Sequence, residues 1–315
     1  MSDGVAGAGL LPTSGVRAAG HGRTWWRHKR LRDLCGFYLP AGVVALFMLF
    51  PLLWMLSFAV RPLAEVFAYP PHLLPHRYAW RNLLDVWTDP RLQFGLAFWN
   101  TTVYATVRTF GQMLLASMAA YVLARFSFPG RSLVFGLVLA TMLIPHEVVL
   151  ITLYLVVKHM PFSGGNDWAG IGGTGWLDSF KGLILPGVVS GYSIFLMRQF
   201  MLGIPRELEE AARIDGCGDF AIYWRVVLPL AIPGLATLGA FSFQFAWSDF
   251  MWPLIITSTD HIRTLQLGLA IMRSNDGTDW SLLMAGAVLS TLPLIALFLL
   301  LQRFITTGLD LGVGK

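Results

Sequence analysis

The sequence predicts an all-α, polytopic membrane protein with six transmembrane helices. Apolar residues make up 55% of the 315 residues and charged residues only 13%. The mean hydropathy is +0.61, far from the composition of soluble domains. The apolar residues gather in six runs, each long enough for a bilayer-crossing helix of about 20 residues. Basic residues sit at the ends of those runs and not along one stripe, so the net charge of +5 does not point to nucleic acid.

Residues 1–34 read as a disordered, basic tail. They are rich in Gly, Ala, Ser and Thr without periodicity, and close on the basic, Trp-containing run from Arg23 to Arg32. Directly ahead of an apolar run, such a patch suits anionic lipid headgroups on the cytoplasmic side. Residues 35–315 read as one transmembrane domain, with spans at 37–60, 99–123, 133–157, 182–201, 229–258 and 281–304. The first run is too long for a signal-peptide core and is expected to stay in the mature protein. An outer loop with several Trp residues fills 61–98, and a glycine-rich outer loop fills 161–179. Lys and Arg placement favours both chain ends in the cytoplasm.

Between the fourth and fifth spans lies the most charged compact stretch of the chain, at 202–228. It reads as a short helix, a glycine turn and a second helix. Pro205 suits the first helical position, and Glu207, Glu209 and Glu210 crowd the dipole-positive first turn. Leu208, Ala211, Ala212 and Asp215 recur with helical spacing as a narrow stripe of mostly small residues, and Gly216 is a natural stop. Such a helix between spans suits docking into the groove of a partner.

No zinc spacing, nucleophile elbow or phosphate-binding glycine loop occurs, so no catalytic residue and no metal ligand is assigned. With Cys35 and Cys217 both placed on the cytoplasmic side, no disulfide is expected. The unusual polar groups are Asn100, Arg108, His146, Glu147, Gln244 and Asp249. Intramembrane polar groups are costly and face a cavity or a partner. Gln244, Trp247 and Asp249, with Asn100 and Glu147, are candidates for a translocation path; inter-helix hydrogen bonding is the alternative reading. Arg108 is placed to pair with either Glu147 or Asp249. Pro145 is expected to interrupt the third span, and Pro253 to bend the fifth.

Glu210-Ala211-Ala212, three residues, Gly216, nine residues, then Val226-x-Leu228-Pro229 resembles the EAA loop of permease subunits in bacterial ABC importers. Supporting stretches are Asn100-Thr-Thr, residues 120–131, Met142-Leu-Ile-Pro145, residues 246–254, and the segments 301–309 and 312–315. They are similar to the carbohydrate-uptake subfamily, close to the second permease of maltose-type and glycerol-3-phosphate-type transporters. The resemblance implies the type I importer permease fold in a bacterial inner membrane. It assigns ATPase coupling to Glu207, Glu210, Ala211, Ala212, Asp215, Gly216, Leu228 and Pro229. The implied partners are a second permease, a dimer of ABC ATPase subunits that would bind ATP and Mg, and an extracytoplasmic solute-binding protein. The chain would carry no cofactor itself. The implied cargo is a sugar, an oligosaccharide or a polyol, with glycerol 3-phosphate or a glycerophosphodiester as the alternative. An ion-coupled secondary transporter is the rival of another class, but the internal repeat common in such folds is not found.

Overall fold

In a computed structural model the described residues are 36, 38–273 and 277–313, with side chains to 304. The basic tail, Cys35 and most of the C-terminal segments quoted above lie outside the described residues or side chains. The chain divides into two units, Met1–Trp54 and Met55–Lys315, and the division falls within the first span. Among the described residues the secondary structure is helical, with no strand.

Three helices are individually long and apolar enough to cross a membrane: Leu39–Ala59, Phe94–Arg125 and Trp280–Phe304. Three bent pairs bring the number to six when each pair is one crossing: Arg131–Met142 with His146–Lys158, Phe180–Gly187 with Gly191–Leu202, and Asp219–Leu230 with Ile232–Trp247. Each bend has a local cause. Pro145 closes the third span's first half and produces a 103° turn, since the residue before a proline is pushed out of helical geometry. Pro186 sits in a 3₁₀ turn, Leu185–Gly187, where the fourth span bends by 44°. The fifth span turns by 74° at Ala231, between Pro229 and Pro233. Membranes tolerate such breaks only where neighbouring protein covers the freed backbone groups.

The second span, Phe94–Arg125, starts earlier than the apolar run suggests, because Phe94 and Phe98 join Trp87 in an aromatic cluster. It packs against both the fourth and the fifth spans. Two hydrophobic clusters divide the interior along it. One gathers Tyr104, Trp247, Trp252, Leu183 and Ile256. The other gathers Tyr121, Met197, Met201, Ile222, Tyr223 and Leu238 at the end that carries the charged stretch.

The fifth span differs from the sequence reading in one respect. Its long helix stops at Trp247 and a separate helix, Met251–Ile256, follows. Pro253 lies inside that second helix, so the break falls before it, at Ser248–Phe250. Trp252 is buried, and its indole N–H donates to the Leu183 carbonyl at 3.2 Å.

Candidate functional site

The charged stretch folds as a helix, Glu207–Ile214, closed by Gly216. Pro205 does not occupy the first helical position; it precedes Arg206, whose carbonyl accepts from the Glu209 and Glu210 amides. The far end is a Schellman closure. The Cys217 N–H reaches the Ala212 carbonyl at 3.0 Å and the Gly216 N–H reaches Arg213 at 3.1 Å. Gly216 adopts φ +86°, the left-handed region that this closure demands.

The three glutamates separate. Glu209 turns inward and is 5% exposed, its Oε1 in ion-pair contact with Nε of Arg125 at 2.5 Å. Burial raises its carboxyl above the ordinary range, against the opposing pull of Arg125, Arg213 and Arg206. Arg125 also donates to the Ile204 carbonyl at 2.8 Å, so one guanidinium holds the helix and its lead-in chain to the end of the second span. A second tie joins Ser117 and Tyr223 through their hydroxyls at 2.7 Å. Glu207 and Glu210 are exposed, as are Leu208, Ala211, Ile214 and Asp215, whereas Ala212 is half-buried. The outward face is thus apolar, fringed by carboxylates, and covered by none of the described residues. Leu228 is half-buried and Pro229 exposed in the helix that follows.

A second polar cluster lies between the spans. Arg108 Nη1 approaches Asp249 Oδ2 at 3.3 Å, with both side chains about a tenth exposed or less. The Tyr104 hydroxyl donates to the same oxygen at 2.7 Å and accepts from Arg108. Arg108 Nε donates to the Gly187 carbonyl at 3.3 Å, and its guanidinium lies over the Phe245 ring at 5.2 Å. Asp249 Oδ1 accepts from the Trp252 amide at 3.3 Å, which starts the helix after the break. One cation therefore reaches the breaks of both the fourth and the fifth spans. A Cβ at Gly187 would fall on the Arg108 guanidinium.

The candidate path residues part company. Gln244 is exposed, and Phe241, Phe245 and Ser248 are exposed beside it at helical spacing. Glu147 is exposed in the first turn after Pro145, where His146 meets the Phe245 ring edge-on at 6.2 Å. Trp247 is 1% exposed, stacked on Phe243, and donates its indole N–H to the Ser290 carbonyl at 2.9 Å. Its place is the core. Asn100 is buried and its amide donates to the carbonyls of His261 and Arg263, at 2.8 and 3.0 Å, pinning the segment before Leu265. Asp249 faces Arg108, not open space, and Glu147 takes no part in that pair. Sequence reasoning missed Phe241, Phe245 and Tyr104. Only the four-residue spacing of Tyr104 and Arg108 hinted at a shared face. Among the described residues no group of three or more His, Cys, Asp or Glu side chains is arranged to hold a metal ion.

Residues 112–310 match a family described as binding-protein-dependent transport system inner membrane component. The sn-glycerol-3-phosphate transport system permease protein UgpE of Yersinia enterocolitica is 34% identical over 281 residues, 87% of this chain and 94% of that protein. The arabinooligosaccharides transport system permease protein AraQ of Halalkalibacterium halodurans is 30% identical over 277 residues, 86% and 93% of the two chains. A chain from the crystal structure of a bacterial ABC transporter that imports the acidic polysaccharide alginate superposes with a TM-score of 0.73. It is 23% identical, and the match covers 89% of this chain and 98% of that one. A chain of a bacterial alginate ABC transporter, crystallised in complex with alginate pentasaccharide-bound periplasmic protein, superposes at 0.61 with 14% identity, covering 89% and 96%.

Proposed function

The chain belongs to the family of binding-protein-dependent transport system inner membrane components, as an ABC importer permease, and we propose that it forms half of the path for a sugar, an oligosaccharide or a polyol. A second permease would supply the other half. Two ATPase subunits would bind ATP and Mg beneath the Glu207–Ile214 helix, and a solute-binding protein would deliver cargo at the opposite end. In this reading both chain ends are cytoplasmic.

The observation that carries the coupling role is the outward face of Leu208, Ala211 and Ile214, left open while Glu209 fastens the opposite side to Arg125. A groove on an ATPase would take that face. Its movement would pass through Arg125 and Tyr223 into the second span, as well as into the spans on either side.

The cargo assignment rests on the exposed stripe of Phe241, Gln244, Phe245 and Ser248. It offers apolar ring faces and hydrogen-bonding groups, and the neighbouring cation, Arg108, is already neutralised by Asp249. A phosphate would want an unpaired cation there. The same internal pairing weakens the ion-coupled alternative, because Asp249, the carboxylate at the break of the fifth span, is already paired with Arg108. The test is uptake and ATP hydrolysis in liposomes, with each subunit omitted in turn and neutral sugars set against glycerol 3-phosphate. ATP-dependent uptake that needs all components supports the reading. Gradient-driven uptake by this chain alone overturns the coupling role, and exclusive transport of glycerol 3-phosphate overturns the cargo.

A further inference from the structure

The stretch 120–131 ends where the second, third and fourth spans meet, and two guanidiniums gather there that the coupling role does not use. Arg131 opens the helix Arg131–Met142 and folds back on the end of the second span. Its Nε donates to the Leu123 carbonyl at 2.9 Å and its Nη2 to the Ala124 carbonyl at 3.2 Å. Arg198, from the fourth span, donates its Nε to the same Leu123 carbonyl at 3.2 Å. The Arg198 guanidinium also lies over the Phe135 ring at 4.0 Å, a stack that fixes its plane. Two cations from different spans thus share one oxygen.

Neutral carbonyls do not balance two positive charges. Each guanidinium carries five N–H donors, of which Arg131 uses two and Arg198 one. Among the described residues neither joins an ion pair, although both are half-buried. The neighbouring Arg125 is matched by Glu209; this pair is not. Like charges held close together and partly out of water call for an opposite charge. Their depth suits the headgroup level of a bilayer. Arg198 lies four residues, about 6 Å, short of Leu202 at the end of its helix. No residue of Arg131–Met142 is buried, and within two turns of Arg131 the side chains of Leu133, Val134 and Leu137 are 68%, 44% and 59% exposed.

We propose that Arg131 and Arg198 bind the phosphate of an anionic lipid headgroup, with its acyl chains lying along Leu133 and Leu137. Two guanidiniums match the two free oxygens of a phosphodiester in forked geometry, and basic pockets between spans take such headgroups. A free phosphate brings the same oxygens but leaves the apolar face beside them uncovered. A carboxylate from a neighbouring subunit is also the poorer fit, because a lipid delivers the charge and the apolar cover together. The site needs a bilayer and no ATPase, so it stands or falls apart from the coupling role.

The test photolabels the full chain, purified with whatever subunits accompany it. The probe is a phosphatidylglycerol that carries a diazirine near the glycerol end of one acyl chain. The expected result is labelling of residues 133–137 that inorganic phosphate leaves untouched. Unlabelled phosphatidylglycerol should displace it at about ten-fold lower concentration than phosphatidylcholine does. Arg131→Gln with Arg198→Gln should cut that labelling about ten-fold or more, and Arg131→Lys with Arg198→Lys should keep part of it. Because the arginines also hold carbonyls, Phe135→Glu is the second variant. It keeps both arginines and sets a carboxylate against Arg198, so labelling at 133–137 should fall while labelling elsewhere in the chain is unchanged. Undiminished labelling in Phe135→Glu, or equal displacement by phosphatidylcholine, overturns the inference. Displacement by inorganic phosphate assigns the site to a free anion, and labelling that appears only once accompanying subunits are stripped away assigns it to a protein carboxylate; each overturns the headgroup.

Discussion

Arg108 and Asp249, 141 residues apart in sequence, meet at 3.3 Å with Tyr104 sharing the same carboxylate oxygen. Truncating one partner leaves an uncompensated buried charge, which typically costs about 3–5 kcal/mol. Asp249→Ala is therefore expected to lower thermal stability sharply in detergent. Arg108→Leu with Asp249→Leu should recover most of it, and a double-mutant cycle on the melting temperature checks the coupling.

Gly187→Ala addresses the same cluster from the fourth span. The added Cβ would meet the Arg108 guanidinium, so the expected result is a loss of stability that is smaller when the same change is made on an Arg108→Ala background. An alanine variant as stable as the parent would show that the fourth span shifts freely at its break.

The glutamates of the charged helix should separate by function. Glu209→Ala is expected to release the helix from Arg125, raising protease cleavage around residues 204–216 and lowering ATP-coupled uptake. Glu210→Lys should leave cleavage unchanged but still uncouple hydrolysis from uptake, since its carboxylate faces outward. Equal cleavage in both variants would refute the division. Gly216→Ala should cost about 1 kcal/mol through backbone conformation alone, because nothing lies within 4 Å of the added carbon.

Asp178 provides a pH dependence. Burial alone would raise its carboxyl, but the Ser258 and Thr259 amides outweigh it and hold it below the usual 3.8. Its contribution is thus complete above about pH 3.8 and is lost as the pH falls through the lower folded value. Protection of the Ser258 and Thr259 amides, taken as exchange relative to the intrinsic rate at each pH, should fall over that acidic window in the parent. In Asp178→Asn protection should be low at every pH, without that step.

Sequence alone made the helical class and the apolar runs legible, and the long EAA spacing singled out the charged helix Glu207–Ile214. Which side of that helix faced out was not legible. A dipole argument treats Glu207, Glu209 and Glu210 alike, and only the rotation of the helix against Arg125 sets Glu209 apart. The surroundings of two path candidates were hidden for a related reason. Asn100 and Trp247 are polar or aromatic inside spans, as path residues would be, yet their partners are carbonyls 161 and 43 residues away. Composition does not reveal such pairings. The choice between Glu147 and Asp249 as partner of Arg108 turned on the break at Ser248–Phe250, which carries no proline of its own.

The broken spans bear on how the chain enters a bilayer during synthesis. Of the crossings, Leu39–Ala59, Phe94–Arg125 and Trp280–Phe304 can each be recognised and released into lipid as a finished unit. The third span's pieces are 12 and 13 residues long, too short to leave the insertion machinery alone. Such a break needs a protein neighbour, and the fourth span, whose Gly191 lies against Val138, Thr141 and Met142 just ahead of it, arrives only after it has been translated. Insertion is thereby made order-dependent: the third span must wait, sheltered, for a segment that follows it, so a pause in translation before residue 202 would strand it.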